Sequence, residues 1–202
     1  MAYKLYYFNI RGLAEPIRYL LKYGGTEFED VRIERENWPD LKDTMPMKQM
    51  PVLEVDGKKY FQSIAISRFL ATNYGLAGKD AFESMEIDSV VDTFNDMRIK
   101  ITQAFLAPEA EKEEAMKKVL EESVPLYLMK LNSLAEENGG YLACNRLTWA
   151  DIYVAAMSGL ITFISKGQDL FETYPAIKKV IENVEANENI KKWIAERPVT
   201  AY

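Results

Sequence analysis

The spacing of apolar and polar positions changes character near residue 75, and the change divides the chain. Before it, short alternating runs are mixed with one helical stretch. Residues 4–9 are aromatic-rich and stop at Arg11-Gly12, which predicts a strand. Leu13 to Tyr23 carries Ile17, Leu20 and Leu21 at helical spacing. Pro16 falls in the first turn of that helix, where a missing N–H costs little, and Gly24-Gly25 ends it. Glu27 to Ile33 alternates through Phe28, Val31 and Ile33 as a second strand, so the opening reads as a parallel β-α-β unit. Residues 34–50, with Trp38-Pro39 and Met45-Pro46, predict a long irregular connection, and connections of that length more often carry function. Val52 to Val55 then predicts a buried strand, Asp56-Gly57 a type I′ turn and Lys59 to Phe61 the return strand. Gln62-Ser63 opens a helix with Ile66, Phe69 and Leu70 on its apolar side. The order β-α-β, loop, β-β-α is thioredoxin-like, and it sets the first domain at residues 1–74.

After a linker at 75–80 the pattern is helical only. Ile87, Val90, Val91, Phe94, Ile101 and Phe105 form one stripe; Met116, Leu120, Val124, Tyr127, Leu131 and Leu134 form another, with Pro125 expected to kink it. Thr148 and Asp151 make a capping-box variant, with Leu147 and Ile152 placed for a hydrophobic staple. A largely apolar, central helix runs from there to about Ile164. Ile177, Val180, Ile181 and Val184 mark one more helix, and Ile190, Trp193 and Ile194 a short last one. The expectation is an α/β thioredoxin-like domain followed by an all-α domain over 81–202.

Composition narrows the chemistry. The 202 residues are 48% hydrophobic and 28% charged, enough for a good core. The net charge of −6 disfavours nucleic acid or an anionic membrane as partner. No run approaches the roughly 18 apolar residues of a membrane span. The chain has no histidine, which removes His-based triads, His acid–base chemistry and the common zinc sites; no metal is expected. The single cysteine, Cys144, cannot form an internal disulfide and reads as a packed or inert thiol. With no apolar leader at the start, the expected location is cytoplasmic.

One constellation points to a ligand. Pro51 enters a strand tightly and is a candidate cis peptide. A cis bond there would turn the Met50 backbone outward, free to pair with an extended peptide. The helix start at Gln62 and Ser63 beside it suits a carboxylate. Together these describe a site for a small peptide with a free carboxylate.

The residues that give the chain a family resemblance are spread along its length. They are Tyr7-Phe8, Trp38-Pro39 with Lys42, and Met50 through Gly57; Gln62-Ser63 with Ala65-Ile66 and Arg68; Val91-Asp92-Thr93 with Asp96; Tyr141-Leu142; and Leu147 through Asp151. In this order and spacing the chain resembles the cytosolic glutathione transferases, and the sigma class in particular. The resemblance implies that fold, with glutathione as co-substrate. It also implies that Tyr7 is the catalytic hydroxyl. The need for such a group is chemical: a free thiol with pKa about 8.5 is mostly protonated near neutrality. One charge-assisted hydrogen bond, worth roughly 1.5–3 kcal/mol, can lower that pKa by one to two units. Tyr6, on the opposite strand face, is the internal control.

The remaining implied contacts follow the tripeptide. Its cysteine backbone would pair with Met50, its γ-glutamyl carboxylate would meet Gln62 and Ser63, and its glycine carboxylate Trp38 and Lys42. Gln49 stands where close relatives often carry Lys, so that contact rests on Gln49 or on Lys48. Asp96 would cross a homodimer to the α-amino group. Phe8, Leu13, Arg98, Tyr153 and Met157 would line a pocket for a small apolar electrophile. Leu13 departs from the prostaglandin-isomerising members of the class, which have Arg near the thiolate. Three readings follow. The first is conjugation of glutathione to apolar electrophiles such as lipid-peroxidation carbonyls, a detoxification role. The second is glutathione-dependent prostaglandin D synthase chemistry. The third, of another class, is a crystallin-like structural or ligand-sequestering protein, which the short connection from Leu106 to Glu114 disfavours.

Overall fold

The computed structural model describes residues 1–200 and 202. It divides into two compact units, Met1–Leu76 with Glu185–Tyr202, and Ala77–Val184. The first unit runs β1 (Tyr3–Phe8), α1 (Glu15–Tyr23), β2 (Glu29–Ile33), α2 (Trp38–Leu41), β3 (Val52–Val55), β4 (Lys58–Phe61) and α3 (Ser63–Asn73). The four strands are ordered β2-β1-β3-β4. β1 pairs parallel with β2 and antiparallel with β3, so the chain has the thioredoxin-like topology.

The hairpin turn has Asp56 at φ 48° and Gly57 at φ 83°, the two positive values a type I′ turn requires. The Met50–Pro51 peptide is cis, and Met50 stands just outside the β3 ladder. Two local expectations need correcting. Phe28 lies outside β2 and packs beside the Trp193 ring, with the Lys22 ammonium over both rings. Residues 34–50 are not irregular: α2 is flanked by 3-10 turns at Arg35–Asn37, Lys42–Thr44 and Pro46–Lys48. Pro39 and Pro46 sit in the first turns of these pieces, where no N–H is needed.

The second unit holds α4 (Ala81–Phe105), α5 (Glu109–Lys118), α6 (Val124–Glu137), α7 (Trp149–Ile164) and most of α8 (Pro175–Glu185). Among the described residues no strand lies outside the first unit. The stripe predicted across Pro125 is shifted. A π-turn at Val119–Ser123 separates α5 from α6 and places Pro125 in the first turn of α6. The wider turn rotates the following residues, so Val119, Val124, Leu128, Leu131 and Ala135 are buried. Met116, Leu120, Tyr127 and Leu134 are only half-buried. α7 is apolar nearly all round and forms the centre of its unit. The last helix, α9 (Glu188–Glu196), packs on α1. Glu185–Tyr202 thus groups with the first unit by its packing.

Candidate active site

Strand alternation sends Tyr6 and Tyr7 to opposite faces of β1. Tyr6 packs with Ile33, Met45 and Val52 under the 38–50 segment, and its hydroxyl donates to Glu54 Oε2 at 3.1 Å. Burial, then the Glu54 carboxylate, raises the Tyr6 pKa. Tyr7 is 7% exposed, and its hydroxyl oxygen accepts the Leu13 N–H at 3.2 Å. That bond depends on the turn at Gly12–Ala14. Gly12 has φ +42°, and a Cβ there would stand 2.8 Å from the Tyr7 hydroxyl oxygen, so the site requires glycine both for its backbone and for its missing side chain. The Phe8 ring meets Tyr7 edge-on at 5.8 Å and Trp38 at 5.5 Å between centroids, which brings these three expected residues into one aromatic row.

Beside this turn is a cleft of about 80 Å³. Leu13, Gln49, Met50, Pro51, Gln62 and Ser63 all line it. Gln62 precedes α3 with φ 73° and ψ 104°, a strained conformation for a residue with a side chain. No side chain caps this helix start, so its first N–H groups have no side-chain capping acceptor. Met47 and Lys48 also have positive φ, and Lys48 pairs with Asp43 at 2.7 Å on an exposed surface. Lys48 does not line the cleft, whereas Gln49 does. Lys42 is exposed on the 3-10 turn after α2.

The other expected residues lie in the second unit. Asp96 is exposed on α4. Arg98 is half-buried and occupied along its own helix, donating to Asn95 Oδ1 at 2.8 Å. Met157 is buried in α7, and Tyr153 has no exposed surface, with Phe94 and Trp149 edge-on to its ring. A pocket wall must offer surface to its ligand, so Tyr153 is a core residue here rather than the expected lining residue.

Asp151, expected as a cap, is fully buried and makes the capping box with Thr148. Its carboxylate accepts the Thr148 N–H at 2.7 Å and also the Leu142 N–H at 2.8 Å. The second bond ties the 142 segment to α7, a link that no local motif announces. Burial raises the Asp151 pKa to about 6 against the pull of these donors.

Comparison with known proteins decides what this arrangement is. Residues 3–72 match the family model for the N-terminal domain of glutathione S-transferase, and residues 95–197 the model for its C-terminal domain. The chain belongs to the glutathione S-transferase family. It is 51% identical to a glutathione S-transferase of Anopheles gambiae over 98% of both chains. It is 50% identical to glutathione S-transferase S1 of Drosophila melanogaster over 98% of this chain and 80% of that one. The solved structure of a prostaglandin synthase D of Nilaparvata lugens is 46% identical, with a TM-score of 0.95, over 99% of this chain and all of that one. This glutathione S-transferase is an enzyme that uses glutathione as co-substrate.

Next to the Gly12–Ala14 turn the transferase has a buried charge network absent from the sequence reading. Glu15 and Arg18 are both fully buried in α1. Glu15 Oε2 pairs with Arg18 Nη1 at 2.9 Å. Glu15 Oε1 accepts from Arg197 at 2.7 Å and from the Trp193 indole N–H at 2.8 Å. Arg18 Nε pairs with Asp30 at 3.0 Å, and Arg32 takes the other Asp30 oxygen at 2.8 Å. Burial pushes the Glu15 pKa up, but the Arg18 and Arg197 guanidiniums outweigh it and hold the carboxyl below its ordinary value. The one available signal was the acid and base at i, i+3 within Glu15-Pro-Ile-Arg18, a spacing that usually marks an exposed pair.

Proposed function

We propose that this glutathione S-transferase, of the sigma class, joins the glutathione thiolate to small apolar electrophiles, lipid-peroxidation carbonyls among them. Tyr7 holds the thiolate. The observation that carries this is the Tyr7 hydroxyl: its oxygen already accepts the Leu13 N–H, and Leu13 lines the cleft. An oxygen so occupied directs its own proton elsewhere, and accepting one bond strengthens it as a donor. Met50 offers its backbone to the cysteine of glutathione, and Gln62 and Ser63 meet the γ-glutamyl carboxylate. Gln49, Trp38 and Lys42 meet the glycine end. Phe8 and Leu13 belong to the electrophile side. The test is the ultraviolet absorbance of the bound thiolate against pH. Tyr7→Phe should raise the thiolate pKa by about one to two units and cut neutral turnover about tenfold to a hundredfold, while Tyr6→Phe leaves both near the wild type. A titration unmoved by Tyr7→Phe rejects the mechanism.

The working form is a homodimer in which Asp96 of one copy meets the α-amino group of glutathione on the other. An apolar groove of about 400 Å³ beside β4 and α3, with Tyr60, Phe61 and Phe69 partly exposed, supports a self-contact. Sedimentation as a monomer at assay concentration, or unchanged glutathione affinity in Asp96→Ala, counts against this arrangement. The site of action is the cytoplasm and the role detoxification; recovery of the enzyme in a membrane fraction of the source cells would contradict the location.

A second reading, glutathione-dependent isomerisation of a prostaglandin endoperoxide, draws on the likeness to the Nilaparvata lugens protein. Leu13 supplies no cation beside the thiolate, which favours conjugation. Product analysis after incubation with an endoperoxide separates the two.

A further inference from the structure

The Tyr7 hydroxyl meets the Gly12–Ala14 turn, and the two residues before that turn are held by a buried side chain from α1. Arg18 is wholly buried, yet its Nη1 reaches back to the carbonyl oxygens of Ile10 at 3.0 Å and Arg11 at 3.2 Å. These two residues immediately precede Gly12 and Leu13. The Arg11 carbonyl also accepts the Glu15 N–H at 3.1 Å, so the entry to α1 and the turn share one acceptor. Arg18 is itself fixed from two sides by carboxylates, Glu15 and Asp30. Glu15 in turn is tied to Arg197 and Trp193 of the last helix.

We infer that Arg18 is a positioning residue for the catalytic hydroxyl: by clamping the carbonyls of Ile10 and Arg11 it fixes the Leu13 N–H that donates to Tyr7. The inference rests on the reading of Tyr7 as the donor to the thiolate. A simple salt bridge within α1 would need only Glu15 and could point anywhere. Here the guanidinium spends one nitrogen on two loop carbonyls and another on a carboxylate from the neighbouring strand β2. The rigid guanidinium plane carries Nε to Asp30 while Nη1 reaches the two carbonyls and Glu15, and Nη2 finds no hydrogen-bond partner among the described residues. An ammonium at the end of a flexible stem would not hold the Asp30 and carbonyl directions together. The Leu13–Tyr7 bond is long enough, at 3.2 Å, that a small displacement of the turn would break it. Such a displacement would leave the phenol packed in place but its oxygen less polarised.

The experiment is a double-mutant cycle read by thiolate titration in the glutathione complex, with KM for glutathione measured alongside. Arg18→Lys keeps a cation in the network and loosens the clamp. It should raise the thiolate pKa by about 0.5–1 unit, a roughly three- to tenfold loss of ionised fraction, and lower kcat with little change in KM. In a Tyr7→Phe background the same substitution should add no further shift. Equal shifts in both backgrounds overturn the proposal, because Arg18 would then act without Tyr7. A Tyr7→Phe shift with no Arg18→Lys shift, whatever the stability change, reduces Arg18 to a structural residue and also overturns it. A thiolate unmoved by Tyr7→Phe alone removes the reading of Tyr7 itself, and the proposal falls with it. If Arg18→Lys does not fold, Asp30→Asn carries the same cycle, since Asp30 holds Arg18 from the partly exposed end of the network.

Discussion

Glu15 and Asp151 are both fully buried carboxylates in the first turn of a helix, α1 in one unit and α7 in the other, yet their acidities move in opposite directions. Glu15 is held below its ordinary pKa, and Asp151 is raised to about 6. Burial pushes both upward. The difference is in the partners. Glu15 faces two guanidiniums, Arg18 and Arg197. Asp151 faces only neutral donors, the N–H groups of Leu142 and Thr148 and the Thr148 hydroxyl. Hydrogen bonds from neutral groups satisfy a buried carboxylate geometrically but do not replace the solvation of its charge; an adjacent cation does. The two sites also serve different ends. The Glu15 network reaches the turn beside Tyr7, whereas the Asp151 cap closes the start of a core helix.

The largest test of this contrast is Glu15→Gln. Removing one charge leaves the buried Arg18 with Asp30 alone and takes the Glu15 carboxylate from the half-buried Arg197, and breaking a buried pair typically costs about 3–5 kcal/mol. Urea unfolding should show that loss, together with a raised thiolate pKa in the surviving folded enzyme. A cost below that of any change at Asp151 would break the comparison.

Asp151→Ala comes next. Losing the cap costs about 0.5–2 kcal/mol, and the orphaned buried N–H groups add about 1–3 kcal/mol. Turnover per folded molecule should stay close to the wild type. Normal stability with abolished turnover would instead make Asp151 part of the chemistry.

A pH series is the gentlest discriminator, because it changes no packing. Glu15, with a lowered folded pKa, contributes stability above the unfolded carboxyl pKa and loses it as pH falls through the folded value. Asp151 runs the other way. Its folded pKa lies above the unfolded one, so its contribution is full below about pH 4 and declines as pH rises toward 6. For a shift of about two units this amounts to roughly 2–3 kcal/mol. The stability gap between wild type and Asp151→Asn should therefore change between pH 4 and 7, favouring the wild type at the acid end. A pH-independent gap would show that Asp151 stays ionised and that its donors do outweigh burial.

The sequence by itself carried whatever depends on neighbours a few residues apart. The placing of Tyr6 and Tyr7 on opposite faces of β1 follows from the two-residue period of a strand, while the assignment of the catalytic role to Tyr7 rests on the family resemblance. The Asp56-Gly57 turn follows from the need for two positive φ values, and the Thr148–Asp151 box from the geometry of one helical turn. The strand and helix order that fixes the thioredoxin-like topology is legible for the same reason. Tertiary structure decided the rest. Pro125 read as a kink within one helix, but the chain absorbs it in a π-turn that shifts the buried face. Tyr153 read as a pocket residue and is core. Most of all, Glu15 meets Arg197 across 182 positions of sequence, and Arg18 meets Asp30 across 12. In isolation each of these charges looks like a solvated surface group. What makes them a buried network is the return of the last helix onto α1 and the pairing of β2 beside β1. A charge is placed inside a protein by where its partners are in space, and no local pattern of residues records that.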